Sequence, residues 1–311
     1  MTKPDVLVVA PLFAPTLAQL EREFRCHRYF AAADPAALLD AVGAHVRGIA
    51  SFLSVPRELF AKLPALEIIS NFGVGVDGID LAEAKRRGVI VTNAPDVLND
   101  CVADTALGLT LNLLRRFPRA EEHLRAGRWA AEGPYSLATS LGGKTMGILG
   151  LGRIGEAIAR RATACGMQIR YHNRRRKEGP YAYESDPIAL ARASDVLMIV
   201  TPGGEETRRL VGAEVLDALG PEGYLVNIAR GSVVDESVLL RYLQEKRVAG
   251  AGLDVFDDEP NVPAAFYALE NAVLLPHVAS ATVETRTAMG NLQLENLRRH
   301  FSGRSVLTRV A

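Results

Sequence analysis

Two series of short Val-, Ile- and Leu-rich runs, alternating with helix-length segments, predict an α/β chain of two doubly wound domains. Three observations carry that expectation: the alternation itself, a glycine-rich turn that opens the second series, and a length of 311 residues, ample for two cores. A composition of 48% hydrophobic and 23% charged residues suits a well-packed globular protein.

The first series reads as strands at "DVLVVA" (5–10), "RGIAS" (47–51), "LEIIS" (66–70) and "VIVTN" (89–93). The second runs through "KTMGILG" (144–150), "MQIRYH" (167–172), "DVLMIV" (195–200), "GYLVNIA" (223–229), "VAGAGLDVF" (248–256) and "AVLLP" (272–276). Between them "NDCVADTALGLTLNLLRRF" (99–117) is helical in pattern, with Asn99 or Asp100 available as an N-cap. "TVETRTAMGNLQLENLRRHF" (282–301) reads as a long amphipathic helix able to carry the chain back to the first domain. The expected organisation is a discontinuous domain of residues 1–98 plus 286–311 and a second domain of residues 99–285.

Several classes are disfavoured by the same text. Lys+Arg and Asp+Glu both total 36, so no global field recommends nucleic acid or an anionic membrane as partner. Runs such as "VLVVA" and "VLMIV" are strand-sized and far short of a membrane span. "MTKPDVLVVAP" lacks the basic, apolar and small-residue succession of a signal peptide. Cys26, Cys101 and Cys165 are odd in number and form no CxxC pair, which suggests neither a disulfide framework nor a zinc site. A reducing cytoplasm is the expected compartment.

The glycine turn has a specific physical reading. In "KTMGILGLGRIGEAIARRATACG", Gly150 permits a tight turn, Gly152 lets backbone approach a pyrophosphate, and Gly155 allows close helix–strand packing. Phosphates would then sit at the positive end of the following helix. Strand, turn, helix and next strand fall within one ~30-residue unit, the context a dinucleotide site requires. The usual fingerprint continues with an acidic residue ~20 positions on, for the ribose 2′-hydroxyl. Here Asn173 closes the second strand, and Arg174, Arg175 and Arg176 follow. Asn173 cannot repel a 2′-phosphate as a carboxylate would, and guanidiniums grip phosphate through charge-assisted bonds. NADP(H) is therefore expected in preference to NAD(H), although a run of arginines also suits a solvated loop.

Further polar residues follow strand ends, where open α/β sheets bind ligands. "LVNIARGS" ends its strand with Arg230; "GLDVFDDEP" carries Asp254 and then Glu259; "AVLLPHVAS" ends with His277. Each has a bland alternative as an exposed charge, an acidic turn or a structural histidine. A metal site from those carboxylates and His277 lacks any ligand-spacing motif.

Taken with "NFGVGVDGID" (71–80), "GKTMGILGLGRIG" (143–155), "NIARGSVVDE" (227–236), "GAGLDVFDDEP" (250–260) and "LLPHVASAT" (274–282), the chain resembles the D-isomer-specific 2-hydroxyacid dehydrogenase family over essentially its full length. Within it, "YHNRR" (171–175) and the short chain look most like the NADPH-dependent glyoxylate/hydroxypyruvate reductases and the related hydroxyphenylpyruvate reductases. The resemblance implies a Rossmann cofactor domain and a flavodoxin-like substrate domain that closes over the reaction. It implies that Arg230 binds the 2-oxoacid carboxylate and polarises its carbonyl, that His277 donates the proton, and that Glu259 pairs with His277. A carboxylate partner favours the imidazolium and fixes its orientation. Asp254 matches the position contacting the nicotinamide end; Gly150, Gly152, Arg153, Ile154, Gly155, Asn173, Arg174, Arg175, Thr201 and Ile228 match the rest of the cofactor site.

Leu53, Val74 and Gly75 match substrate-binding positions alongside Arg230 and His277, with Ser51 and Phe52 at the entrance. "FGVGV" suits either an anion nest or a plain glycine turn. The family forms homodimers through the cofactor domain, and the segment around Trp129 resembles the part that reaches across. Formate dehydrogenases share the motifs but are expected to carry glutamine in place of Glu259. The larger phosphoglycerate dehydrogenases carry regulatory domains for which this length leaves no room. Dinucleotide-sensing corepressors on this scaffold can keep the Arg–Glu–His set and remain an alternative of another class.

Overall fold

Each apolar run becomes a buried parallel strand, and the computed structural model, which describes residues 3–311, groups the strands into two sheets. Two compact units result, one running to Leu98 and resuming over Ala281–Ala311, the other spanning Asn99–Ser280.

The first unit holds β1 (Asp5–Val8), β2 (Arg25–Arg28), β3 (Val46–Ser51), β4 (Ile68–Asn71) and β5 (Ile90–Thr92). Their spatial order is β2-β1-β3-β4-β5, the flavodoxin-like arrangement. Side chains alternate across the pleat. Leu7, Ile49, Ile69 and Val91 face a core with Leu59, Phe60 and Leu63. Val6, Val8, Ala50 and Ile68 face the other way, against Leu20, Leu294 and Leu297. Those last two leucines belong to the returning helix Val283–Phe301, whose N-terminus is capped by Thr282, with Oγ1 accepting from the Thr285 N–H at 3.2 Å. From the same helix the buried Gln293 donates through Nε2 to the carbonyls of Ser51 (3.0 Å) and Ser70 (2.8 Å), fastening the strand ends β3 and β4. β2 is absent from the sequence reading: "RCHR" carries no apolar run and lies on the sheet edge, its pattern exposed at both ends.

The second unit contains β6 (Thr145–Leu149), β7 (Gln168–His172), β8 (Ala182–Tyr183), β9 (Val196–Ile199), β10 (Tyr224–Asn227), β11 (Gly250–Leu253) and β12 (Ala272–Leu274). The order β12-β11-β10-β9-β6-β7-β8 is Rossmann-type with one extra strand, and the order of strands reverses between β6 and β9. Leu149, Leu197, Ile199, Leu225 and Leu253 pack with Leu216, Leu239 and Tyr242 on one face. Over β11, glycines 250 and 252 admit the helix Asn99–Arg115: a Cβ on either would meet Leu113 at 3.0 Å or Leu109 at 3.4 Å. That helix starts at Asn99 itself. It stops two residues short of the expected end because Arg116 turns left-handed (φ 55°), and a second helix, Phe117–Arg125, begins. Among the described residues no helix is long and apolar enough to cross a membrane.

Candidate active site

β6 runs into the glycine turn, and each glycine answers to a different constraint. Gly150 has φ 105°, and a Cβ there would lie 2.7 Å from the Thr201 nitrogen, so Gly150 and Thr201 sit in close backbone approach. Gly155 faces the Gly150 carbonyl, which a Cβ would meet at 2.6 Å. Around Gly152 a Cβ would meet nothing, and this residue begins the helix Arg153–Ala164 with no side-chain cap. Open space thus lies beside the uncapped N–H groups of the first turn, the setting that receives a pyrophosphate. Ile154 is half-buried and Arg153 exposed in that turn, and Ile228 is buried just after β10.

The turns after β10, β11 and β12 bring together Arg230, Asp254, Glu259 and His277. Buried Asn227 shapes the first: its Oδ1 accepts from the Ala229 N–H (3.0 Å) and its Nδ2 donates to the Arg230 carbonyl (2.9 Å). Gly231 follows, where any Cβ would overlap the backbone of Phe256 and Asp257. The Arg230 turn and the acidic turn therefore touch backbone to backbone. Glu236 adds a second tie, its carboxylate accepting from the Asp257 N–H at 3.0 Å.

Asp254 is fully buried, and its two oxygens accept from the N–H groups of Val278 (2.7 Å) and Ala279 (2.9 Å), while the His277 N–H donates to its carbonyl at 2.8 Å. Burial pushes the Asp254 carboxyl above its ordinary value, against the pull of those two N–H groups. The result is a His277 held in the left-handed region (φ 53°) with its ring fixed in direction. His277 Nδ1 lies 2.6 Å from Glu259 Oε2, and Glu259 Oε1 accepts from the Phe256 N–H at 3.0 Å. Burial opposes ionisation of Glu259, but the His277 bond, the Phe256 N–H and the positive charges of His277 and Arg230 outweigh it and hold the carboxyl below its ordinary value. An ionised Glu259 only accepts, so Nδ1 carries the hydrogen and Nε2 is left for a ligand.

The sequence pattern of the NAD-binding domain of D-isomer-specific 2-hydroxyacid dehydrogenases matches residues 107–279. The chain belongs to that family. The 2-ketogluconate reductase of Gluconobacter oxydans is 45% identical, over 99% of both chains. The hydroxyphenylpyruvate reductase of Plectranthus scutellarioides is 44% identical, over 98% of both. A solved NADPH-dependent glyoxylate/hydroxypyruvate reductase from Sinorhizobium meliloti, in complex with NADP and malonate, is similar with 49% identity and a TM-score of 0.95, over 100% of this chain and 97% of that one.

In this dehydrogenase the second unit is an NAD(P)-binding domain, and the turn after β7 is tied at both ends. Asn173, expected beside a 2′-phosphate, turns its carboxamide onto Leu151 of the glycine turn: Oδ1 accepts from the Leu151 N–H (2.7 Å) and Nδ2 donates to its carbonyl (3.3 Å). At the far end of the turn, the Tyr171 hydroxyl donates to the Lys177 carbonyl (2.7 Å) and accepts from its N–H (2.9 Å). The three arginines between are exposed. Arg174 pairs with Glu206, Arg176 lies 6.0 Å over the Tyr183 ring, and Arg175 makes no ion pair among the described residues.

In the other unit of this dehydrogenase, Leu53 takes φ 71° beside Phe52. Asn71 Nδ2 donates to the carbonyls of Gly73 (3.2 Å) and Gly75 (2.8 Å), and Asn93 donates to that of Val74 (2.8 Å). With those carbonyls engaged, the Val74 and Gly75 N–H groups donate to no acceptor among the described residues.

Sequence reading missed Asn227, Gly231, Tyr171 and Glu206. Asn227 and Gly231 carried a signal, being a polar residue at a buried strand end and a glycine beside Arg230. Tyr171 reads as an ordinary strand residue, and Glu206 lies in a loop remote in sequence from its partner.

Proposed function

We propose that this chain is an NADPH-dependent reductase of small 2-oxoacids, of the glyoxylate and hydroxypyruvate type, giving the D-2-hydroxyacid. The observation that carries the reading is the Glu259–His277 pair, fastened from behind by Asp254 and tied through Gly231 to the Arg230 turn. Gly150, Gly152 and the first turn of Arg153–Ala164 would hold the pyrophosphate, with Thr201, Ile228 and Asp254 lining the remainder. When bound, the reduced dinucleotide supplies the hydride that reaches C2 of the substrate. His277 gives its Nε2 proton to the carbonyl oxygen, and Glu259 accepts from Nδ1 throughout, so the ring keeps its orientation as its charge changes. Arg230 places permanent positive charge where negative charge develops on oxygen. The Val74 and Gly75 N–H groups are proposed as donors to a substrate carboxylate, with Leu53 as an entrance residue.

The preference for NADPH over NADH rests on Arg174 and Arg175 and on the absence of a carboxylate at Asn173. An aryl pyruvate is the second reading of the substrate. It is favoured by Phe52, which meets Phe72 edge-on at 5.5 Å beside Leu53. Initial rates with glyoxylate, hydroxypyruvate, 4-hydroxyphenylpyruvate and 2-ketogluconate, each with NADPH and NADH, separate these readings. Protein that binds NADPH and oxidises none of it on any of the four would overturn the reductase and leave a dinucleotide sensor.

A homodimer through the second unit is also proposed. The helix Phe117–Arg125 buries no residue, and Phe117, Leu124, Trp129 and Leu137 lie exposed along this segment. Light scattering after gel filtration tests it: a mass near one chain at micromolar concentration rejects the dimer. The cytoplasm remains the proposed compartment, where exposed thiols such as Cys165 stay reduced.

A further inference from the structure

The strand order sets β7 and β9 on either side of β6, so the turns after them flank the glycine turn at the switch point of the sheet. One ion pair crosses that gap, from Arg174 after β7 to Glu206 after β9. Both turns are braced independently of it. Asn173 and Lys177 fasten the first, as described above. In the second, Thr207 Oγ1 donates to the carbonyls of Pro202 (2.7 Å) and Gly204 (3.2 Å). The pair is therefore not needed to shape either turn. Its side chains are 84% and 78% exposed, so it adds little stability and exchanges readily with another anion.

We propose that Glu206 is a cofactor-specificity residue: an internal counter-anion that occupies Arg174 and has to release it before a 2′-phosphate can take it. This rests on the reading that Arg174 receives the 2′-phosphate. A carboxylate and a phosphate monoester compete for the same guanidinium with the same acceptor chemistry. Glu206 also repels a dianion entering the gap, whereas a ribose 2′-hydroxyl neither needs Arg174 nor carries charge. Glu206 thus lowers the affinity for 2′-phosphorylated cofactor selectively and narrows the gap between NADPH and NADH.

The test uses the adenosine half alone, so that it does not depend on turnover. Apo-protein is titrated calorimetrically with adenosine 2′,5′-bisphosphate and with 5′-AMP. In Glu206→Gln the bisphosphate should tighten about 2- to 5-fold, the span of an exposed ion pair, and 5′-AMP should change by less than that. Glu205→Gln removes the same charge one residue away, where no ion pair exists among the described residues, and should give a smaller selective gain. In an Arg174→Gln background Glu206→Gln should give no more than the small gain of Glu205→Gln, since only the charge repulsion is then relieved. An unchanged ratio of the two affinities, weaker bisphosphate binding, an equal gain in Glu205→Gln, or a gain undiminished without Arg174 would each overturn the proposal. Arg174→Gln alone distinguishes the two layers. If it leaves the bisphosphate-to-AMP ratio at the wild-type value, the assignment of Arg174 to the 2′-phosphate falls, and the proposal with it.

Discussion

In the turns after β10, β11 and β12, every proposed catalytic residue sits on a turn fastened by a group behind it. Asp254 holds the His277 turn through two backbone N–H groups, Asn227 shapes the Arg230 turn, and Gly231 lets the two turns meet. In the turn after β7 the backbone is held just as firmly, by Asn173 and Tyr171, but the arginines it carries are exposed and their contacts lie on the surface. The first region fixes side-chain direction, as proton transfer requires. The second fixes only where the chain runs and leaves the charges exchangeable. A phosphate needs a field and flexible donors more than it needs a single geometry.

The largest effect should come from the fastened region. His277→Ala removes the proton donor, and kcat should fall by about 10²–10⁴-fold while the dissociation constant for NADPH, followed by fluorescence, stays near wild type. Equal loss of both would take His277 out of the chemistry. Gly231→Ala should come next. Its methyl group overlaps the backbone of Phe256 and Asp257, so stability should fall by about 1–3 kcal/mol in denaturant titrations and turnover should fall with it. A fully active Gly231→Ala would show that the backbone contact does not position Arg230 and Glu259.

Glu259 offers a sharper probe through pH. Its folded carboxyl lies below the ordinary value, so the stability it contributes is complete above the ordinary carboxylate range and is lost as pH falls through the lowered value. The difference in Tm between wild type and Glu259→Gln should therefore be present at neutral pH and close in strong acid. A parallel pair of Tm curves would mean that ionisation of Glu259 does not contribute to the stability of the fold.

Smaller effects belong to the turn after β7. Asn173→Asp combined with Arg174→Gln and Arg175→Gln should reduce the NADPH-to-NADH preference by about tenfold or more, two charge-assisted contacts having gone. The introduced carboxylate would still accept from the Leu151 N–H but could not donate to its carbonyl, so some loss with NADH is expected as well. Tyr171→Phe, the mildest change, frees Lys177 from two bonds worth about 1 kcal/mol net each. NADPH should bind a few-fold more weakly and kcat should hold. No change at all would show the Lys177 tether to be idle.

The legibility of the molecule divides along similar lines. The strands with apolar runs and the glycine turn were readable because burial and steric need write themselves into residue type. β2 and β8 were not, one because "RCHR" forms a polar edge and the other because two residues carry no period. Arg230, Asp254, Glu259 and His277 stood out by their place after strands, yet nothing in the text says that Asp254 aims both oxygens at the His277 turn. Asn173 shows the same limit. Its identity told what it lacks, a carboxylate, and the fold alone shows what it grips. Side-chain direction depends on contacts remote in sequence, and such contacts have no local signature.

Trp129, the chain's single tryptophan, lies 62% exposed at the segment proposed to meet a second copy. In an unpaired chain that indole is already in water and changes little on unfolding, so there its emission is a poor gauge of denaturation and circular dichroism should replace it. For the same reason it is a quiet, label-free beacon for assembly. Diluting the protein should redden its spectrum as subunits part, with every other fluorophore in the chain a weaker tyrosine or phenylalanine.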